Sequence, residues 1–191
     1  TFLAGCLIIS WVYLGGIYSK KLALTTNTKK TVDLLSFCSQ LLTTLLIPLF
    51  AWYSDKKKPL TLWFLWGALS LSLPMIYLAA SKDLTNYLLS QLIYAVVNAG
   101  LSATLITVVT EGFCSSYRQT GSSLSWSLAS SILGSCILFL AELIRVSWGP
   151  GYICFFIILP SLSLVSYFHY LQKQQTKQPF ASYNELSSTT L

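Results

Sequence analysis

Ser54-Asp55-Lys56-Lys57-Lys58-Pro59 is a short charged turn set between two apolar runs, 32–53 and 60–80. A helix of about 20 apolar residues rises about 30 Å, the thickness of a bilayer's hydrocarbon core. Charge is costly inside that core, so a turn of this composition between two such runs reads as a chain that leaves a membrane and re-enters it at once. The same alternation continues on both sides, with further apolar runs at 2–18, 87–109, 121–144 and 152–171. The expected fold class is an all-α membrane protein. It comprises a six-transmembrane-helix bundle over residues 1–171 and a polar, disordered tail over 172–191.

Composition supports this expectation and excludes its competitors. Only 9% of the 191 residues are charged and 54% are hydrophobic, with a mean hydropathy of +0.63. Soluble domains carry about 25% charged residues, so this chain lacks the charge to clothe a water-facing surface. The apolar runs do not alternate as barrel strands do, which leaves helices as the way to satisfy the backbone in lipid. The net charge of +6 comes from Lys and Arg in the connectors and tail. That is loop topology and not a nucleic-acid patch. Cys6, Cys38, Cys114, Cys136 and Cys154 form no CxxC pair and have no histidine partner nearby, so no disulfide framework, metal or other cofactor is expected. No nucleophile with an adjacent base, no phosphate-binding glycine loop and no acid/base carboxylate pair is present, so an enzyme is not expected.

An even number of crossings places both ends on one side. Lys56, Lys57, Lys58, Arg118, Lys173 and Lys177 fall on that side, and Lys20, Lys21, Lys29, Lys30, Lys82 and Arg145 on the other. With basic residues split evenly, the positive-inside rule does not set the orientation. Pro48, Pro74 and Pro160 stand inside spans, and Gly149-Pro150-Gly151 breaks the chain before the sixth.

The fourth and fifth runs are joined by Glu111-Gly112-Phe113-Cys114-Ser115-Ser116-Tyr117-Arg118-Gln119-Thr120-Gly121-Ser122-Ser123-Leu124. This connector resembles the loop between helices 10 and 11 of the metabolite:H+ symporter branch of the major facilitator superfamily. That loop reads Glu-x-Phe-Pro, then Arg-x-x-Gly-x-Ser-Leu. Glu111, Phe113, Arg118, Gly121, Ser123 and Leu124 fall in register, and Cys114 takes the place of the proline. The turn at Ser54 to Pro59 is similar to the same family's Ser-Asp-Arg-x-Gly-Arg-Arg-Pro, two residues shorter. Trp11-Val12-Tyr13-Leu14 resembles the aromatic seventh helix of the proline/betaine and α-ketoglutarate transporters. The resemblance implies the C-terminal half of a 12-helix carrier, with the N-terminal six-helix half missing from this sequence. It further implies cytoplasmic ends in a bacterial inner membrane, and proton symport of a small polar organic solute by alternating access. The expected partners are that solute, protons, the lipid bilayer and the missing half, with no nucleic acid. The alternatives from the residues alone are a stand-alone six-helix scaffold or channel, and a degenerate, inactive transporter.

Candidate residues follow in three groups. Asp55 and Lys56 on one connector, and Glu111, Arg118 and Gly121 on the other, form an expected cytoplasmic gate or latch, in which a carboxylate pairs with Arg118 or the amides opening the fifth span. The competing reading of Asp55 is a solvated turn residue. Asn98 sits mid-span, where an amide in lipid needs partners, and with Tyr13 is a candidate for substrate binding; Tyr18 and Gln91 stand behind them. Interhelical hydrogen bonding and interfacial aromatic belts are the plain alternatives. Glu142 and Arg145, three apart, are expected as an intramembrane ion pair, and His169 as an interface residue.

Overall fold

Apolar runs of this length bury their peptide groups by coiling, and every regular element among the described residues is helical. The computed structural model describes residues 2–24, 29–56, 60–81, 83–111 and 117–177. Helix α1 (Phe2–Trp11) passes into a π-helical segment (Val12–Tyr18) and then α2 (Ser19–Leu24), and the three form the first span. Helices α3 (Lys29–Lys56), α4 (Leu60–Ala80), α5 (Leu84–Glu111) and α6 (Arg118–Trp148) follow. A 3-10 turn (Pro150–Cys154) opens α7 (Phe155–Lys177). Six of these stretches are long and apolar enough to cross a membrane, the build of a multi-pass membrane protein.

Helix α4 occupies 60–80, as expected. The others overrun their apolar runs. The first span continues through α2 to Leu24 and not only to Tyr18, and α3 covers Lys29–Lys56 against the expected 32–53. Helix α5 begins at Leu84 and ends at Glu111, α6 covers Arg118–Trp148, and α7 continues to Lys177, past the expected boundary at 171. Lys, Arg and Gln are good helix formers. A helix therefore runs on where lipid stops, and an apolar run marks only the part that lipid or neighbours touch. Residues 178–191 of the expected tail lie outside the described residues.

Short connectors make sequential helices antiparallel, and side-chain contacts fix both ends of the bundle. At one end the rings of Phe50 and Phe64 meet at 4.9 Å. At the other, Lys20 meets Asp33 at 2.7 Å and Tyr18 meets Glu142 at 2.9 Å. The ends of α3 and α5 and the starts of α4 and α6 thus share the first end. Helix α5 packs on α3 and α4, while α1 packs on α6 and α7. The first span and α5 are central, with 72% and 67% of their apolar windows buried, against 11% for α3 and 19% for α6. Trp11, Leu14, Met75, Tyr94, Leu101 and Ile137 belong to the main core cluster.

The bend after α6 depends on one residue. Gly149 has φ +102° and ψ 168°, a region open in practice only to glycine, and its amide donates to the Arg145 carbonyl at 3.1 Å. Gly149→Ala should lower unfolding stability by about 1–3 kcal/mol, read as a lower thermal midpoint in detergent. An unchanged midpoint would show that this turn relaxes freely.

Candidate functional site

A buried amide in an apolar bundle must find partners or forfeit the hydrogen bonds it had in water. Gln91 lies about 10 Å along α5 and is 3% exposed. Its Nε2 donates to Ser19 Oγ at 2.9 Å and to the Gly15 carbonyl at 3.4 Å, and its Oε1 accepts from Ser39 Oγ at 2.8 Å. The Ser19 hydroxyl itself donates to the Gly15 carbonyl. One side chain thereby joins the first span, α3 and α5.

One turn further along α5, Tyr94 is fully buried. Its carbonyl accepts from Trp11 Nε1 at 3.3 Å. Its hydroxyl accepts from Gln40 Nε2 at 3.5 Å and from Asn98 Nδ2 at 3.4 Å. Asn98 is 6% exposed, and its Oδ1 has no hydrogen-bond partner among the described residues. An unpaired buried acceptor costs about 1–3 kcal/mol. Gln91, Tyr94 and Asn98 stand at i, i+3 and i+7, one face of a helix.

The π-helical segment is what brings the first span against this face. Its wider winding is seen where the Ser19 amide donates to the Leu14 carbonyl, five residues back. Gly15 and Gly16 let the backbone come up to Tyr94: a Cβ on Gly15 would lie 2.5 Å from the ring's Cδ2, and one on Gly16 would lie 3.0 Å from its hydroxyl. Seven-residue π runs are rare, and π irregularities in helices are frequent at functional positions. In a membrane such backbone is tolerated where protein or a water-lined cavity covers it.

A second cluster lies at the end away from the chain termini. Glu142 accepts from Tyr18 at 2.9 Å and pairs with Arg145 at 2.7 Å and Lys21 at 3.2 Å. Lys20 pairs with Asp33 at 2.7 Å. These bonds tie α2 to both flanking helices, α3 and α6. A cleft of about 220 Å3 lies against Lys21, Glu142, Arg145, Ala80 and Pro150. The side chains of these pairs are between 32% and 62% exposed and solvent-screened, so they orient α2 more than they stabilise the fold.

The other sequence candidates are distributed as follows. Tyr13 is half-buried and leans on α6, where a Cβ on Gly134 would lie 2.9 Å from its hydroxyl, so the structure does not bring it to Asn98. Tyr18, expected at an aromatic belt, is 1% exposed and bound to Glu142. Arg118 is exposed at the start of α6, and the Gly121 amide donates to the Tyr117 carbonyl at 2.8 Å as part of that first turn. The side chains of Asp55, Lys56 and Glu111, and with them the latch, lie outside the described residues. His169 is exposed near the end of the sixth span. Cys6, Cys38, Cys136 and Cys154 are free thiols, and Cys114 lies outside the described residues.

Trp11, Ser19, Ser39, Gln40 and Tyr94 were not among the sequence candidates. Part of their signal was present: Ser36, Gln40 and Thr44 follow i, i+4 spacing along α3, beside Ser39 and Thr43. The π-helical phase of the first span, which selects Gly15 and Ser19, has no such signal. No family model, curated protein or solved structure matches the chain.

Proposed function

We propose that the chain is one six-helix half of a secondary transporter, built as the C-terminal half of a major facilitator carrier, that moves a small polar organic solute by alternating access with proton symport. The observation that carries this reading is the polar seam of Gly15, Ser19, Gln91, Tyr94 and Asn98, held at a π-helical interruption in the two most buried spans. Irregular backbone with polar side chains at membrane depth is found where protein or a water-lined cavity covers it, and carriers build their solute sites this way. The exposed flanks α3 and α6 would be covered by the N-terminal half. Glu142 already has three partners, so the proton-carrying acid is assigned to that other half. Both ends of this chain would face the cytoplasm of a bacterial inner membrane.

The test is uptake by vesicles containing the full-length protein, with and without an inward proton gradient. Saturable uptake that accelerates at least about tenfold with the gradient is expected. Flux that is non-saturable and indifferent to the gradient would point to a channel, and absence of flux for every polar solute would reject transport. The expected latch has its own measurement in the same vesicles. Asp55→Asn and Arg118→Gln should be non-additive in rate by a coupling of about 1 kcal/mol, and additivity would separate the two residues.

A further inference from the structure

The cleft of about 220 Å3 at the end away from the chain termini is walled by Lys21 and Leu22 of α2, Ala80 at the close of α4, Glu142 and Arg145 of α6, and Pro150 of the turn that follows. It has room for about seven waters at their liquid volume, and so for one compact oxyanion. Two cations share a single carboxylate here. Glu142 meets Arg145 at 2.7 Å and Lys21 at 3.2 Å, and Lys20 is matched separately by Asp33 at 2.7 Å. These neighbouring charges, three basic against two acidic, sum to +1. Donors are in surplus as well. An ammonium has three N–H groups and a guanidinium five, against about four lone-pair sites on a carboxylate, and one of those sites takes the Tyr18 hydroxyl. Lys21 and Arg145 remain 62% and 40% exposed, within reach of a ligand.

The cleft also lies at the depth of lipid headgroups. Lys21 and Arg145 each stand about one helical turn from the end of a candidate span, Ala80 closes a third and Pro150 opens a fourth. On either side of Pro150, Trp148 and Tyr152 are exposed and form a ladder with exposed Phe155, their ring centroids 5.7 Å and 6.1 Å apart. Exposed amphipathic rings of this kind settle at the boundary between hydrocarbon and water. Among the described side chains, this end carries Lys20, Lys21, Lys29, Lys30 and Arg145 against Asp33, Asp83 and Glu142. A soluble oxyanion would be held weakly, because charges this exposed are screened by salt. A bilayer, by contrast, keeps phosphodiesters at this depth at all times, and each cation near its surface favours an anionic lipid about fivefold.

We propose that Lys21, Glu142 and Arg145 form a headgroup site for an anionic phospholipid, whose phosphodiester enters the cleft and is held by the two cations. Glu142 keeps the cations in place and sets the net charge at one, Ala80 and Pro150 are the apolar wall, and the aromatic ladder flanks the lipid at the boundary. The inference stands apart from the transport reading. A channel or scaffold with this fold would carry the same site.

The experiment uses the full-length protein in phosphatidylcholine vesicles, with spin-labelled phosphatidylglycerol set against spin-labelled phosphatidylcholine and the protein-held fraction read by electron paramagnetic resonance. Phosphatidylglycerol should associate about fivefold more strongly, the effect of one net cation. Arg145→Gln and Lys21→Gln should each remove that preference, whereas Glu142→Gln should raise it about fivefold further. Lys30→Gln, the same charge change on α3 outside the cleft, should leave it nearly unchanged. Lys21→Gln keeps the Glu142 pair with Arg145 and its bond from Tyr18, so it carries the test if Glu142→Gln does not fold. No preference for phosphatidylglycerol, a folded Glu142→Gln protein that lowers it, or a Lys30→Gln loss equal to that of Arg145→Gln overturns the site. Inorganic phosphate or succinate in excess should not release the lipid. Release by either would make the ligand a soluble oxyanion and overturn the lipid assignment.

Discussion

Gly15→Val should prevent the first span from seating and should cost the protein its fold or at least about 3 kcal/mol of stability, the upper range for overpacking a closed contact. The Cβ alone would stand 2.5 Å from Tyr94 Cδ2 and 3.4 Å from Met75 Sδ, and two further methyl carbons have nowhere to go. Tyr94 cannot swing aside cheaply, because its hydroxyl and carbonyl are both bonded and the ring is fully buried. Gly67→Val is the matched comparison, since nothing lies within 4 Å of a Cβ there. Thermal unfolding in detergent should show a collapsed midpoint for the first variant and little change for the second. Equal midpoints would mean that the π-helical segment is not pinned to α5 as described.

The second large effect is expected from Gln91→Leu. Leucine matches the volume but leaves the Ser39 hydroxyl only the Ser36 carbonyl, at 2.8 Å, and removes the amide from Ser19 and Gly15, breaking three hydrogen bonds. Interhelical hydrogen bonds in membrane bundles average about 0.6 kcal/mol each, so the loss is about 2 kcal/mol, with a larger effect on geometry. The first span would lose this one of its polar ties to α3 and α5 while keeping the Trp11–Tyr94 and Lys20–Asp33 contacts and its apolar packing. Under the transport reading, the folded Gln91→Leu protein should lose at least about tenfold in uptake rate, whereas Gln91→Asn, which retains a shorter amide, should recover part of it. Stability that falls while uptake persists would reduce Gln91 to a structural tie.

Sequence made some of this legible and hid the rest for definite reasons. Helix α4 is bounded as the apolar run predicts because Leu60–Ala80 is preceded by Pro59 and carries no charge. The first apolar run stops short of the first span's true end because Lys20 and Lys21 look like the edge of a membrane segment. In the structure they stay helical and reach back to Asp33 and Glu142. Asn98 stands out because a lone amide in an apolar run is conspicuous, and Glu142 with Arg145 because their spacing is local. Tyr94 and Gln40 do not, because a tyrosine in such a run reads as packing and a glutamine as interfacial. What makes them polar partners is the rotation of the first span relative to α3 and α5. That rotation depends on non-local contacts which no period in the sequence records.

The π-helical stretch also sets a phase. Because Val12–Tyr18 winds more residues into each turn than an α-helix, the part of the rod before it and the part after it are offset in azimuth. Trp11 points its indole at α5, while Tyr18 and Lys21 address α6. If the same residues wound as an ordinary α-helix, one portion would swivel by about 100° against the other. The rod could then satisfy its indole or its tyrosine, but not both. A rod wound evenly through that stretch would have to choose which end of the bundle to keep.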